Sequence, residues 1–250
     1  MNHIEVAILE DSTIKSAENL MAMAARLTQR NEKITCMEDL LALHQWKHSP
    51  TLIKNLCSMP HPTLQKFGTV TIAIVGASRR FLAQITRHQN EVKFMSGSLQ
   101  YSDMSQAAQF VVPYEMMADA EACQAYERSC VEALEVYEEL IKHGCDHDSA
   151  GYLMPQGMRN TLLISATPYQ WKHMIKQRAC RRNTDETRYV MLKCWELLVE
   201  ANPTLFSDIK VPCQMGRCEE GVMCCNHPVY KADTPTSILH QDFPLIYELN

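Results

Sequence analysis

The chain has 250 residues, of which 46% are apolar and 21% are charged, and its net charge at pH 7 is −5. This composition is ordinary for a soluble globular domain and excludes collagen, coiled-coil and disordered classes. Its longest apolar runs are far shorter than the roughly 20 residues of a membrane-spanning helix, and no secretion signal is evident. We therefore expect a cytoplasmic protein with no membrane partner and, because of its acidic balance, no nucleic-acid partner.

Two residue counts are unusual, namely 8 glycines and 11 cysteines. Neither a G-x-G-x-x-G sequence nor a P-loop is present, and such phosphate cradles need glycine where side chains would block a close approach. A phosphate site in this chain must therefore consist of side chains, chiefly arginine. The odd number of cysteines, without a secretion signal, favours free thiols over a disulfide framework.

The pattern of apolar residues predicts one α+β domain. A strand at residues 4–9 precedes a helix that we expect to be capped by Asp11 or Ser12 and to reach about Arg30. The other predicted elements are a short helix at 37–44, a loop at 59–63, a strand at 69–75, a helix capped by Ser78 and reaching about Arg87, an amphipathic helix at 113–143 stopped by Gly144, a strand at 161–166, and a helix capped by Thr167 that runs to Pro203 with a break near Asn183.

A polar cluster follows the second predicted strand. On a helix, Gln84, Arg87 and His88 are three and four residues apart, so they would share one face and form a fork suited to a phosphate or a planar carbonyl. A solvated helix surface explains the same pattern equally well.

These residues resemble the signature region of the flavin-dependent thymidylate synthases (the ThyX family), which is commonly written RHRx7S. The resemblance recurs elsewhere, and all of its parts follow the family's order along the chain. Its parts are Ala25-Arg26, His61-Pro62-Thr63, Gly76-Ala77-Ser78-Arg79, Gln84, Arg87-His88, Ser98-x-x-Tyr101, Arg178-Ala179-Cys180-Arg181-Arg182 with Glu186 and Arg188, and the segment from Cys218 to Cys225.

The resemblance implies a fold, an assembly and a reaction. It implies a ThyX-like catalytic domain at residues 1–210, with a central, mostly antiparallel sheet flanked by long helices, and a cysteine-containing tail at 211–250 packed on it. It also implies a homotetramer with active sites at subunit interfaces. Members of the family bind FAD, take electrons from NADPH and transfer a methylene group from methylene-tetrahydrofolate to C5 of dUMP. The implied activity is therefore a methyltransferase that converts dUMP to dTMP.

The resemblance also implies roles for individual residues. Arg178 matches the arginine that bonds the carbonyl edge of the pyrimidine, where a permanently charged group stabilises enolate charge without losing its proton. Ser98 has no adjacent general base in the sequence, so we expect it to bind substrate rather than act as a nucleophile. The implied catalytic residues are Arg178, Ser98 and Arg87; the substrate-binding residues are Gln84, Arg87, Ser98, Gln100, Tyr101 and Arg178; and the cofactor-binding residues are Thr28, His61, Thr63, Arg87, His88, Gln89 and Arg182.

The chain departs from the family pattern where the family binds the nucleotide. Gln89 and Gln100 stand where the family has arginine, Gly151 stands where an arginine often binds the nucleotide, and Ser98 fits only with one extra residue before it. Each lost arginine–phosphate contact costs on the order of 1.5–3 kcal/mol.

Three explanations of these departures stay open. Another cation substitutes, the substrate is a different pyrimidine nucleotide, or activity has been lost. The second explanation corresponds to a C5-hydroxymethylase or another modifying enzyme, and the third to a non-catalytic nucleotide-binding homologue. The candidate substitutes are Arg80, Lys93 and Arg159.

The C-terminal segment is dense in metal-ligating residue types. It has no double C-x-x-C and two of its cysteines are adjacent, so free thiols packed on the body are the favoured interpretation and no metal is expected. A second group of histidines and aspartates follows a helix end and is expected to consist of loop residues. The tryptophans are expected in the core. These three groups are Cys213, Cys218, Cys224, Cys225 and His227; His143, Asp146, His147 and Asp148; and Trp46, Trp171 and Trp195.

Overall fold

A four-stranded antiparallel sheet is the centre of the fold, and its strand order is β1-β2-β4-β3. The structure is a computed structural model that describes residue 1 and residues 3–105, 109–216 and 218–247. The predicted α+β class and the three predicted strands are confirmed. The fourth strand, β3, was not predicted, because five residues at a sheet edge become a strand only by pairing with β4. The strands are β1 (Glu5–Ile8), β2 (Val70–Ser78), β3 (Val92–Ser96) and β4 (Arg159–Ala166).

Helices pack against one face of this sheet, and no helix in the described ranges is long and apolar enough to cross a membrane. Short 3₁₀ helices at 62–66 and 114–118 connect the longer elements. The α-helices are α1 (Asp11–Gln29), α2 (Met37–Gln45), α3 (Pro50–Ser58), α4 (Arg79–Ile85), α5 (Ala120–Lys142), α6 (His147–Gly151), α7 (Pro168–Arg178), α8 (Asp185–Ala201), α9 (Pro203–Phe206), α10 (Pro235–Asp242) and α11 (Pro244–Tyr247).

The sheet buries only one of its faces. Side chains of a strand alternate between faces, and the inward ones of β2 and β4 are buried in the core. On the outward face, Met95 is 70% exposed and Leu163 is 36% exposed. In the strand register, Met95 pairs with Leu163, Leu163 with Ala73, and Ala73 with Ala7. One row of apolar side chains therefore crosses all four strands. We call these four residues the outer apolar row.

Two predicted helix caps are confirmed and one is wrong. The Ser78 hydroxyl accepts the N–H of Phe81 at the start of α4, and the Thr167 hydroxyl accepts the N–H of Gln170 at the start of α7. The residue that precedes α1 is Glu10, whose side chain makes no capping bond. Asp11 and Ser12 are not caps because Leu9 still pairs with β2, which keeps the chain extended through Glu10.

Several predicted boundaries also differ from the structure. The amphipathic helix α5 begins at Ala120 rather than at 113, because the Asp119 side chain accepts two backbone N–H groups there. It ends as predicted, with Gly144 at φ +88. The break near Asn183 is confirmed by the gap between α7 and α8. The C-terminal segment contains α10 and α11, each begun by a proline, which are too short for periodicity to predict.

Other residues outside the site behave partly as expected. Each of the 11 cysteines is a free thiol, as predicted. Trp171 and Trp195 are core residues, but Trp46 is 45% exposed, because the guanidinium groups of Arg26 and Arg30 cover its ring from solvent only in part. Asp146 caps α6, so the loop prediction is wrong for His147 and Asp148, which are the first two residues of that helix.

A buried ion-pair cluster holds the C-terminal helices on the domain. Arg188 on α8 is 5% exposed, and its guanidinium pairs with Asp242, the last residue of α10. The same carboxylate accepts hydrogen bonds from Arg181 Nε at 3.0 Å and Nη2 at 2.7 Å. The adjacent Phe243 is fully buried, so apolar packing and charge pairing act at one place.

Replacing Asp242 should destabilise the protein strongly. Asp242→Ala leaves Arg188 buried, and its remaining ion-pair partner among the described residues is Asp185, at 3.6 Å. We expect the free energy of unfolding to fall by about 3 kcal/mol, measured by urea denaturation. The control is Asp208→Ala, which removes the more exposed partner of Lys172 and should cost less than about 1 kcal/mol. Equal losses in the two variants would contradict the structural role given to Asp242.

Candidate active site

Arg178 is the centre of a hydrogen-bonded cluster where α4, α7 and α8 meet. Its Nε donates to His88 Nε2 at 2.9 Å, its Nη2 donates to the backbone carbonyl of Gln84 at 3.0 Å, and its Nη1 donates to Asn183 Oδ1 at 3.3 Å. A guanidinium carries five N–H donors, so two remain for a ligand. The three bonds hold the plane of the guanidinium before any ligand binds. We call these four residues the Arg178 cluster.

His88 is a neutral member of this cluster. It is 7% exposed, and burial, the charge of Arg178 and the nearby His173 together lower the pKa of His88 from 6.5 to about 4. Since Nε2 accepts the bond from Arg178, the ring proton lies on Nδ1. His173 meets the ring edge-on, with 5.9 Å between centroids. Arg178 therefore has a neutral acceptor beside it and keeps its full positive charge for a ligand.

Gln84 turns its side chain away from solvent and toward the start of α8. Its Oε1 accepts hydrogen bonds from the hydroxyls of Thr187, at 2.6 Å, and Thr184, at 3.0 Å. The prediction that Gln84, Arg87 and His88 share one helix face is wrong. The helix α4 ends at Ile85, so Arg87 and His88 lie beyond it. His88 turns inward while Arg87 is exposed. Arg87 still acts on the cluster, since its charge adds to burial in lowering the pKa of Arg178.

A cavity of about 530 Å³ opens beside the Arg178 cluster, which is within the usual range for small-molecule sites. One wall is the end of α7 and the loop after it, and the other is the C-terminal segment. Lys176 ties this segment to α7 by donating to Glu219 at 3.0 Å. The walls include Arg178, Arg181 and Arg182 on one side and Cys213, Cys218, Cys224, Cys225 and His227 on the other.

The thiols of this cavity do not form a metal site. Within the described ranges, no group of three or more His, Cys, Asp or Glu side chains is placed to hold a metal ion. Cys224 Sγ instead accepts the N–H of Asn226 at 3.4 Å, and Cys213 Sγ accepts the N–H of Val229 at 3.3 Å. These bonds order the backbone of the C-terminal segment.

A second cavity, of about 490 Å³, lies at the loop after β3, and we call it the Ser98 cavity. Ser98 and Gln100 line one side of it, and the Ser98 hydroxyl accepts the N–H of Gln100 at 3.2 Å. Gly151 lines the other side, and a Cβ at this glycine would lie 3.3 Å from Leu99 Cβ. A side chain at 151 would thus lie in tight contact with Leu99, which would have to shift slightly. Tyr101 is 82% exposed.

The remaining predicted cofactor-binding residues are exposed. Thr28 is exposed on the last turn of α1, where its hydroxyl donates to the Ala25 carbonyl at 2.8 Å. His61 and Thr63 are exposed, at the start of and within the 3₁₀ helix at 62–66, which contacts α1 and α7. Gln89 is exposed next to His88. In the part of the chain that the structure describes, none of these residues hydrogen-bonds to the Arg178 cluster or lines the Ser98 cavity.

Three residues of these sites were not predicted. Asn183 accepts from Arg178 and donates to the carbonyls of Gln177 and Cys180, which shapes the loop between α7 and α8. Its place five residues after Arg178, inside the family-like segment, was the available signal. Glu186 accepts hydrogen bonds from the backbone N–H and the hydroxyl of Ser78, and burial raises the pKa of this carboxyl. The third, Arg79, lines the Ser98 cavity.

Comparison with known families defines the class of protein. Residues 9–204 match the family model described as thymidylate synthase complementing protein (Thy1). The chain therefore belongs to this family. It is a divergent member of the flavin-dependent thymidylate synthases, a family of enzymes, as the resemblance predicted.

Individual relatives agree with this assignment. The flavin-dependent thymidylate synthase of Geobacter sulfurreducens is 22% identical over 222 residues, which cover 89% of this chain and 94% of the relative. The UMP/dUMP methylase PolB from Streptomyces cacaoi, bound with 5-Br dUMP, has a TM-score of 0.63 at 15% identity over 82% of this chain and 93% of that chain. ThyX from Helicobacter pylori, with FAD and dUMP, has a TM-score of 0.61 at 18% identity over 82% of this chain and 98% of that chain. The two structures share the fold.

The neutral state of His88 predicts a specific dependence of stability on pH. Below pH 6.5 the unfolded chain binds a proton at His88 that the folded chain excludes down to about pH 4, so stability falls across this range. His88→Gln keeps an acceptor for Arg178 without this titration. Between pH 6.5 and pH 4, the free energy of unfolding of this variant should fall by less than that of the wild type, and the difference should reach up to about 3 kcal/mol.

Denaturant unfolding at several pH values between 7 and 4 measures this difference. His143→Gln is the control, because His143 is exposed at the end of α5 and should leave the wild-type profile unchanged. A wild-type pH profile in His88→Gln would show that His88 is not held neutral.

Proposed function

We propose that this protein is a cytoplasmic methyltransferase that converts dUMP to dTMP, with bound FAD, methylene-tetrahydrofolate as the carbon donor and NADPH as the reductant. The observation that carries the proposal is the Arg178 cluster, whose arginine and histidine come from two separate family-like segments and meet through a hydrogen bond of 2.9 Å. The membership of the chain in the family supports the choice of reaction.

The residues beside the Arg178 cluster fit a flavin site built from side chains. The chain lacks glycine-rich phosphate cradles, but Arg182 is exposed on the cavity wall, and its guanidinium carries five N–H donors. These donors match the phosphate and ring carbonyl acceptors of FAD. The flavin, when bound, supplies the hydride, and the protein's part is binding and orientation.

The proposed role of Arg178 is to bind the carbonyl edge of the pyrimidine. Its charge stabilises the enolate that develops when C5 becomes nucleophilic, and a guanidinium does so without giving up its proton. The bond to neutral His88 fixes the direction of this charge. The proposed role of Ser98 is to donate its hydroxyl hydrogen to the nucleotide, since its oxygen already accepts the N–H of Gln100.

A homotetramer with active sites at subunit interfaces is part of the proposal. The outer apolar row supports it, because exposed apolar patches of this kind mark protein–protein interfaces. Thr28, His61 and Thr63 are exposed and, among the described residues, do not hydrogen-bond to the Arg178 cluster, so we propose that a second copy joins them to a shared flavin. Sedimentation velocity of the purified protein tests the assembly, and a monomer at all concentrations would contradict it.

A second candidate is an enzyme that modifies C5 of a different pyrimidine nucleotide, including a hydroxymethylase. The observation that favours it is the Ser98 cavity, where Gln100 and Gly151 replace family arginines and Leu99 fills the space beside Gly151. The fold is shared with a UMP/dUMP methylase as well as with ThyX.

The product of the reaction distinguishes these functions. FAD-loaded protein is incubated with NADPH, methylene-tetrahydrofolate and one pyrimidine nucleotide at a time, and the product is identified by mass. We expect dTMP from dUMP. A hydroxymethylated product, or turnover of UMP or dCMP alone, would establish the second candidate. No product from any nucleotide would show a non-catalytic homologue.

Removing Arg178 should abolish turnover and leave flavin binding intact. We expect Arg178→Ala to lower the rate of dTMP formation by at least about 100-fold, since it removes the charge that stabilises the enolate. Visible absorbance of the purified variant reports bound FAD. Arg128→Ala is the matched control, because Arg128 is exposed on α5 and should retain wild-type turnover. Retained turnover in Arg178→Ala would overturn the proposed role.

A further inference from the structure

We propose that Cys218 and Cys224 are a redox-active thiol pair, which a hydroperoxide oxidises to a disulfide that makes one wall of the cavity beside the Arg178 cluster rigid. Both thiols line this cavity, on the side formed by the C-terminal segment. In a reducing compartment a disulfide of this kind is transient and senses oxidants. The proposal goes beyond the proposed function and concerns residues that take no part in the proposed reaction.

The first support is the tight turn that brings the two thiols together. Cys218 comes shortly before the 3₁₀ helix at 221–223, and Cys224 follows it directly. The Met223 N–H donates to the Glu220 carbonyl at 2.9 Å. The Cys224 N–H donates to the carbonyl of Gly221 at 3.1 Å, and this glycine has φ +53, in the left-handed region. The turn therefore folds back on itself, and the two cysteine side chains hydrogen-bond to each other.

The second support is the unequal reactivity of the two thiols. Cys224 Sγ accepts the N–H of Asn226 at 3.4 Å, and this bond, together with the one from the Cys218 thiol, lowers the pKa of Cys224. The backbone N–H of Glu220 favours the Cys218 thiolate, but the bond to Cys224, desolvation and nearby thiols outweigh it and raise the pKa of Cys218. Since the thiolate is the nucleophile, Cys224 attacks the oxidant and Cys218 completes the disulfide.

The oxidation takes place in two balanced steps. The Cys224 thiolate attacks one oxygen of the hydroperoxide, the O–O bond breaks, and Cys224 becomes a sulfenic acid while the other oxygen leaves and takes up a proton from solvent. The Cys218 sulfur then attacks the sulfenic sulfur. The S–S bond forms, the S–O bond breaks, and the oxygen leaves as water with the proton of the Cys218 thiol. The two sulfur atoms lose two electrons, which the peroxide oxygens gain.

Neither Cys180 nor Cys225 competes well for this reaction. Burial raises the pKa of Cys180, which lines the same cavity. Cys225 Sγ is bound to the backbone of His227, since it donates to the carbonyl and accepts the N–H, both at 3.4 Å. Adjacent residues such as Cys224 and Cys225 have Cα atoms about 3.8 Å apart, which is below the usual range for a disulfide. Cys218 is therefore the favoured partner of Cys224.

Two anchors hold the part of the C-terminal segment that the disulfide would close. At its start, Glu219 accepts a hydrogen bond from Lys176 of α7 at 3.0 Å. Beyond its end, Arg181 Nη1 donates to the carbonyls of His227 and Pro228, both at 3.0 Å. A cross-link between these anchors restricts the chain that joins them. The wall of the cavity should therefore open less often in the oxidised protein.

Mass spectrometry of the full chain after treatment with hydrogen peroxide tests the pair. We expect a loss of about 2 Da, reversed by dithiothreitol, and a peptide map that joins Cys218 to Cys224. Cys218→Ser should stop at a sulfenic acid on Cys224, which dimedone captures. Cys225→Ser is the matched control, because it changes a neighbouring thiol of the same cavity and should form the wild-type disulfide. No disulfide, or a different pairing, would overturn the proposal.

Hydrogen–deuterium exchange tests the effect on the cavity wall. The backbone amides of residues 219–224 should exchange about 10-fold more slowly in the oxidised than in the reduced wild type, since the cross-link restricts opening of the turn. Cys218→Ser treated with peroxide should keep the exchange rates of the reduced wild type. Equal rates in the two states of the wild type would overturn the effect on the wall. Neither experiment requires turnover, so failure of the proposed function would leave both results valid.

Discussion

The candidate active site depends on one interaction, the hydrogen bond from Arg178 Nε to the neutral ring of His88. It joins the end of α7 to the turn after α4, and the bonds to the Gln84 carbonyl and Asn183 hold the same guanidinium from two other directions. The bond requires His88 to be unprotonated. Burial and neighbouring positive charge lower the pKa of His88 and keep it in that state. The charge of Arg178 therefore stays available and points in one fixed direction.

Low glycine content constrains how such a site can be built. A glycine-rich loop binds phosphate through backbone N–H groups whose geometry is local to the loop. Side chains have no such local constraint, so tertiary contacts must fix their direction. The Arg178 cluster meets this requirement with bonds to α4 and to the loop after α7. The ion pairs of Asp242 with Arg181 and Arg188 hold the C-terminal segment that closes the neighbouring cavity.

The Ser98 cavity shows how a glycine and its neighbour share a confined space. Gly151 and Leu99 complement each other, since the side chain of Leu99 occupies the space that a larger residue at 151 would need. A Cβ at 151 would therefore require Leu99 to shift slightly. A cation from another element, α4, borders the same cavity.

The sequence by itself determined the α+β class, three strands and the family, because periodicity, caps such as Ser78 and Thr167, and short motifs are local properties of the chain. It also placed Arg178 and His88 among the site residues, through their motifs. Tertiary structure decided which residues meet. The Arg178–His88 bond, the inward turn of Gln84 and the place of Arg79 beside Ser98 join segments far apart in sequence. Edge strand β3 and the exposed outer row likewise depend on pairing with β4, a contact that no local pattern encodes.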